Sequence, residues 1–183
     1  MNYKNEKGMI IMKRGITSLV LGGMIITGMM GCSNSAKPVQ QVSEMEVVEK
    51  SQEELKVEYL EVVKEQNGRA EVAMKKIKSL FDKATLHPEL FKDEGFKSDL
   101  ENEYDVIEDV YFILKLYRET DIPTELYYNH LDLVKGYEYC YNGNNLTWDG
   151  INELNTQKMK AGAEKLSIGA QYVRDSGLDV NKK

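Results

Sequence analysis

The chain has 183 residues, 24 Lys+Arg against 30 Asp+Glu, and two cysteines. A composition of 42% hydrophobic and 30% charged residues can bury a core and excludes wholesale disorder. The net charge of −6 argues against a nucleic-acid partner held by phosphate neutralisation, and two cysteines cannot make a disulfide scaffold or a Cys-only zinc site.

The first predicted element is a targeting segment. Lys4, Lys7, Lys13 and Arg14 oppose a single acid, Glu6, and Gly15 to Gly31 carries no charge. A basic start, a short apolar stretch and a small-residue end form the layout of an export signal. Its end, Met29-Met30-Gly31-Cys32-Ser33, resembles the lipobox of bacterial lipoproteins. That resemblance implies a diacylglycerol thioether on Cys32 and cleavage between Gly31 and Cys32, with palmitate among the chains carried. Leu and a small residue are usual where Met29 and Met30 stand. The run continues uncharged to Ala36, long enough to span a bilayer as a helix, but Gly22, Gly23, Gly28 and Gly31 weaken that reading. Met1, Met9 and Met12 are alternative starts, and the segment from Met12 is already a compact signal.

Removing residues 1–31 leaves 152 residues at a net charge of −9. Anionic headgroups repel such a surface, so attachment falls to the lipid. Residues 32–42 read as the lipidated cysteine and a flexible polar tether, 43–178 as one helical domain, and 179–183 as a disordered tail.

Within 43–178 the apolar spacing is helical throughout. Ser43 to Glu46 matches a capping box, and Val48, Leu55, Tyr59 and Val62 follow on one face. Asn67-Gly68 is read as a break, after which Ala70, Ala73, Ile77, Leu80 and Ala84 resume the stripe. Pro88 closes this section, and residues 89–97 are a connector with a short helical turn. A second capping box, Ser98 to Glu101, opens a helix through Leu100, Tyr104, Ile107, Tyr111 and Leu114. Thr120 to Pro123 separates it from a helix with Leu126, His130, Leu133, Tyr137 and Cys140. Asn142 to Asn145 is predicted as a turn, with Thr147 or Asp149 capping a last helix from about Gly150 to Asp175. Ala161, Gly162, Ala163, Gly169 and Ala170 give that helix a small-residue side suited to close approach. The expected fold class is all-α, an antiparallel bundle of four to five helices.

Pro123 opening a helix, His130 seven residues on and the later Ala/Gly-rich helix resemble helical lipoproteins of Gram-positive bacteria across 122–175. The resemblance implies a helical domain on the outer face of the membrane and carries no established activity or binding residues.

Candidate sites are few. A di-iron bundle needs Glu-x-x-His, whereas Tyr127 stands three before His130, so His130 reads as a core histidine or the polar group of a pocket with Tyr137. Cys140 is ten residues from His130 on one helix, about 15 Å along the axis, too far for a nucleophile and its base. Tyr127, Tyr128, Tyr137, Tyr139 and Tyr141 are the candidate interaction surface. The acids Glu101, Asp105, Glu108 and Asp109, and the bases Lys75, Lys76, Lys78 and Lys83, read as complementary or solvated helix faces. No catalytic residue, metal or cofactor is expected. The reading is a non-enzymatic binding module, lipid-anchored at the extracytoplasmic face of the cell membrane, with an envelope protein as partner. A small-ligand carrier or enzyme using the His130 pocket, or a purely structural envelope lipoprotein, are the alternatives.

Overall fold

The computed structural model describes residues 50–178. The expected signal segment with Gly31 and Cys32, the expected tether, the Ser43–Glu46 capping-box match and the expected 179–183 tail lie outside the described residues. The described residues form four α-helices: α1 (Gln52–Leu86), α2 (Glu94–Lys115), α3 (Tyr127–Asn152) and α4 (Thr156–Asp175). Short 3-10 turns occupy Pro88–Lys92, Glu119–Asp121 and Thr124–Leu126. The described residues contain no strand, so the fold is all-α. None of the described helices is long and apolar enough to cross a membrane.

Contacts between side chains set the directions. Arg69 and Lys76 of α1 meet Asp109 and Glu103 of α2, and Tyr111 and Tyr104 of α2 meet Tyr141 and Trp148 of α3. Each helix therefore runs antiparallel to the next. Tyr59 and Asn67 of α1 reach His130 and Tyr137 of α3, which makes those two helices parallel.

α1 starts at a capping box: Ser51 Oγ accepts from the Glu54 amide while Glu54 accepts from the Ser51 amide at 3.0 Å. The expected break at Gly68 does not occur, and α1 runs unbroken for 35 residues. Asn67 is buried, its side chain committed to Tyr137 and Leu178 and unavailable to its own backbone. α2 begins at Asp93, whose carboxylate accepts from the Phe96 amide at 2.8 Å, so the Ser98–Glu101 motif lies inside the helix. Burying Phe96 draws that extra turn in.

The predicted turn at Asn142–Asn145 is also absent, because α3 continues to Asn152 with Gly143 and Asn144 buried. α4 is capped by Asn155, not by Thr147 or Asp149, and begins at Thr156. Asn155 Oδ1 accepts from the Gln157 and Lys158 amides, both at 3.1 Å.

α1, α2 and α3 supply the side-chain core, which includes Tyr59, Val63, Ile77, Leu100, Ile107, Val110, Leu114, Leu133 and Ile151. α4 joins it in another way. Gly136, Gly143 and Gly150 recur every seven residues along α3 and face Gly162 and Gly169, also seven apart, on α4. A methyl group on Gly162 would lie 2.7 Å from the Gly143 carbonyl oxygen, and one on Gly169 would lie 2.6 Å from that of Gly136. Backbone thus packs on backbone. Of the five small residues anticipated on α4, only the two glycines are buried.

Candidate functional site

All the candidate side chains after Cys32 project from α3, and the helix sends them to different faces. His130 is buried, and its Nδ1 lies 2.9 Å from the hydroxyl of Tyr59, with the Tyr117 ring 6.1 Å away. Burial disfavours the imidazolium and lowers the His130 pKa below its usual 6.5. The Tyr59 hydroxyl and His130 Nδ1 share this hydrogen bond, with the imidazole tautomer setting which of them donates. Desolvation of the charged ring, and not the Tyr59 contact, is what resists protonation.

Tyr137 is buried and donates to Asn67 Oδ1 at 2.8 Å, while Asn67 Nδ2 donates to the Leu178 carbonyl at 2.8 Å. The sequence did not pair Asn67 or Tyr59 with these residues, because nothing local links positions seventy apart. His130 and Tyr137 do lie one above the other on α3, but each is bonded to α1. Two open surface grooves run instead between α1 and α2. One, of about 430 Å³, is lined by residues that include Gly68, Arg69, Val72 and Val106. The other, of about 220 Å³, includes Ser79, Leu80 and Asn102; Lys76 and Glu103 line both, and neither includes His130 or Tyr137.

The remaining tyrosines are spread around the helix. Tyr128 is 78% exposed, edge-on to half-buried Tyr127 at 5.6 Å, at the start of α3. Tyr141 stacks on Tyr111 of α2 at 5.5 Å. Tyr139 stacks on Tyr172 of α4 at 5.6 Å, with Lys135 over Tyr172 and Lys165 over Tyr139. Tyr137 is interior. The five do not share one face.

Cys140 is sealed beneath α4, where a methyl on Gly169 would come within 2.6 Å of its Sγ. Burial pushes the thiol pKa up to about 12, so it is an inert core group. Nearby, the Asn144 side-chain amide is buried without a hydrogen-bond partner, and the Tyr104 hydroxyl is buried beside Thr147. Thr147, on the same α3 face, donates to the Gly143 carbonyl at 2.8 Å.

Among the acids and bases, Lys76 joins Glu103 at 2.8 Å across α1–α2, Arg69 reaches Asp109 at 3.4 Å, and Lys75 pairs with Glu71 one turn away. Exposed pairs of this kind contribute roughly 0–1 kcal/mol each. No group of three His, Cys, Asp or Glu among the described residues is arranged to hold a metal ion. No protein-family model, curated protein or solved structure matches the chain.

The His130 environment has a pH consequence. The unfolded chain takes up a proton near pH 6.5, whereas folded His130 resists it. Stability from this site is therefore complete above pH 6.5 and is lost as pH falls from there towards the folded pKa. Urea midpoints at pH 7.5 and pH 5.5 should differ more in the native chain than in His130→Gln. Equal pH dependence in the two would refute the assignment.

Proposed function

We propose that the protein is a lipoprotein anchored through Cys32 at the outer face of the cell membrane, with its helical domain serving as an interaction module. The carrying observation is the order of residues 1–33: basic start, uncharged stretch, Gly31, then Cys32. Two features of the domain support binding at a surface over chemistry in a pocket. His130 Nδ1 and the Tyr137 hydroxyl are both engaged by side chains of α1. Aromatic side chains such as Tyr128 and Phe112, 78% and 43% exposed, stand on the surface. A protein partner in the envelope suits such amphipathic rings.

The anchor is tested by metabolic labelling with a fatty-acid analogue. Label should enter the native chain and be lost in Cys32→Ala, which accumulates unprocessed or is released from the membrane. Undiminished labelling of the variant would refute the proposal. For the surface, Tyr128→Ala should weaken capture of an in-cell cross-linked partner and leave helix content unchanged.

A further inference from the structure

The two ends of α4 are held unlike those of the other helices. At its start, the turn from α3 passes through Leu154, which has φ of 53° and a side chain 55% exposed. A branched residue in the left-handed region stores backbone strain. At its end, Ser176 and Leu178 are buried although they lie past the helix. Asn129 Nδ2 donates to the Ser176 carbonyl at 2.6 Å, and Asn67 Nδ2 donates to that of Leu178. The Leu178 amide turns back to Ser176 Oγ at 3.2 Å, with Gly177 at φ of 67° making the bend.

Between these ends α4 buries only Gly162 and Gly169, while Met159, Leu166 and Val173 are half-buried. The large fully buried side chains belong to α1, α2 and α3, apart from Ile122, Pro123 and those of the strap. α4 lies closer along α3 than any other helix pair among the described residues, but it does so through backbone rather than through large apolar side chains. A unit that buries few large apolar side chains gains less of the stabilisation that holds α1–α3, and can open below the global unfolding free energy.

We propose that α4 and the strap Ser176–Leu178 form a lid, hinged at Leu154 and latched by Asn67 and Asn129, which opens as a unit from a folded α1–α3 core. Opening uncovers the glycine face of α3 and the Cys140 thiol. The device goes beyond the anchoring proposal and stands independently of it.

Cys140 reports the motion, because Gly169 covers its Sγ when the lid is shut. In the full-length chain carrying Cys32→Ser, Cys140 is the only thiol. Its labelling by iodoacetamide is followed across a urea series beside the helical circular dichroism signal. With a lid, native labelling depends less steeply on urea than global unfolding does, since less surface is exposed. Asn129→Ala, which removes one latch bond, speeds labelling about tenfold. Val110→Ala, in the α2 core, lowers the global urea midpoint and leaves native labelling unchanged. The lid is refuted if labelling and unfolding share one urea dependence, or if Val110→Ala speeds labelling in proportion to its loss of global stability. Should Val110→Ala not fold, the urea dependence of the Cys32→Ser chain decides alone.

Discussion

Gly162→Ala is expected to destabilise the fold by about 2 kcal/mol, whereas Gly68→Ala stabilises it by about 0.5–1 kcal/mol. Both glycines lie inside helices, so alanine brings the same propensity gain to each. The surroundings differ. A methyl at Gly68 meets nothing within 4 Å. At Gly162 it lies 2.1 Å from Thr147 Oγ1, 2.7 Å from the Gly143 carbonyl oxygen and 2.8 Å from the Thr147 amide nitrogen. The Thr147 hydroxyl is tied to Gly143 and the other two atoms are backbone, so relief requires α4 to lift from α3. Overpacking of this kind costs about 3 kcal/mol, less the propensity gain. Urea denaturation of the two variants checks the opposite signs. A stabilised Gly162→Ala would mean that α4 does not sit this close.

Asn67→Ala is expected to cost about 3 kcal/mol, and the loss is partly shared with Tyr137→Phe. Asn67 is 4% exposed and its amide serves two clients: it accepts from Tyr137 and donates to the Leu178 carbonyl. Alanine breaks both bonds at once, leaves the Tyr137 and Leu178 groups in place without them, and opens a small void. Tyr137→Phe removes one of the two bonds, for about 1 kcal/mol. A double-mutant cycle should return a coupling near 1 kcal/mol, since the shared bond can be lost only once. Additive losses would place the Tyr137 hydroxyl on some other acceptor.

These two sites also mark where reading along the chain stopped working. Asn67-Gly68 and Asn142 to Asn145 carry the local preferences of turns, about 1 kcal/mol per glycine in a helix interior. In the fold, Asn67 is consumed by distant groups, and Gly143 is needed where the α4 backbone arrives. Each contact outweighs the local preference. Gly136, Gly143 and Gly150 did hold a signal, a seven-residue repeat that matches the spacing of Gly162 and Gly169. Gly162 and Gly169 read locally as a close-approach side, but the turn preference of Asn142 to Asn145 masks the matching repeat on α3. The candidate surface failed to gather for a related reason: positions 127, 128, 137, 139 and 141 point around the whole helix, so proximity in sequence did not place them on one face.

Helical periodicity was legible because the side chains that repeat every three and four residues must share a face, whatever they pack against. Leu100, Tyr104, Ile107, Tyr111 and Leu114 were read from spacing and are all buried. The all-α class depends on such local order, which the sequence carries by itself. Helix ends, the pairing of Tyr59 with His130 and of Asn67 with Tyr137, and the backbone seam between α3 and α4 depend on which helix lies beside which. Those were decided by tertiary packing, where one buried hydrogen bond or one missing methyl group outweighs the turn preference of an Asn-Gly pair.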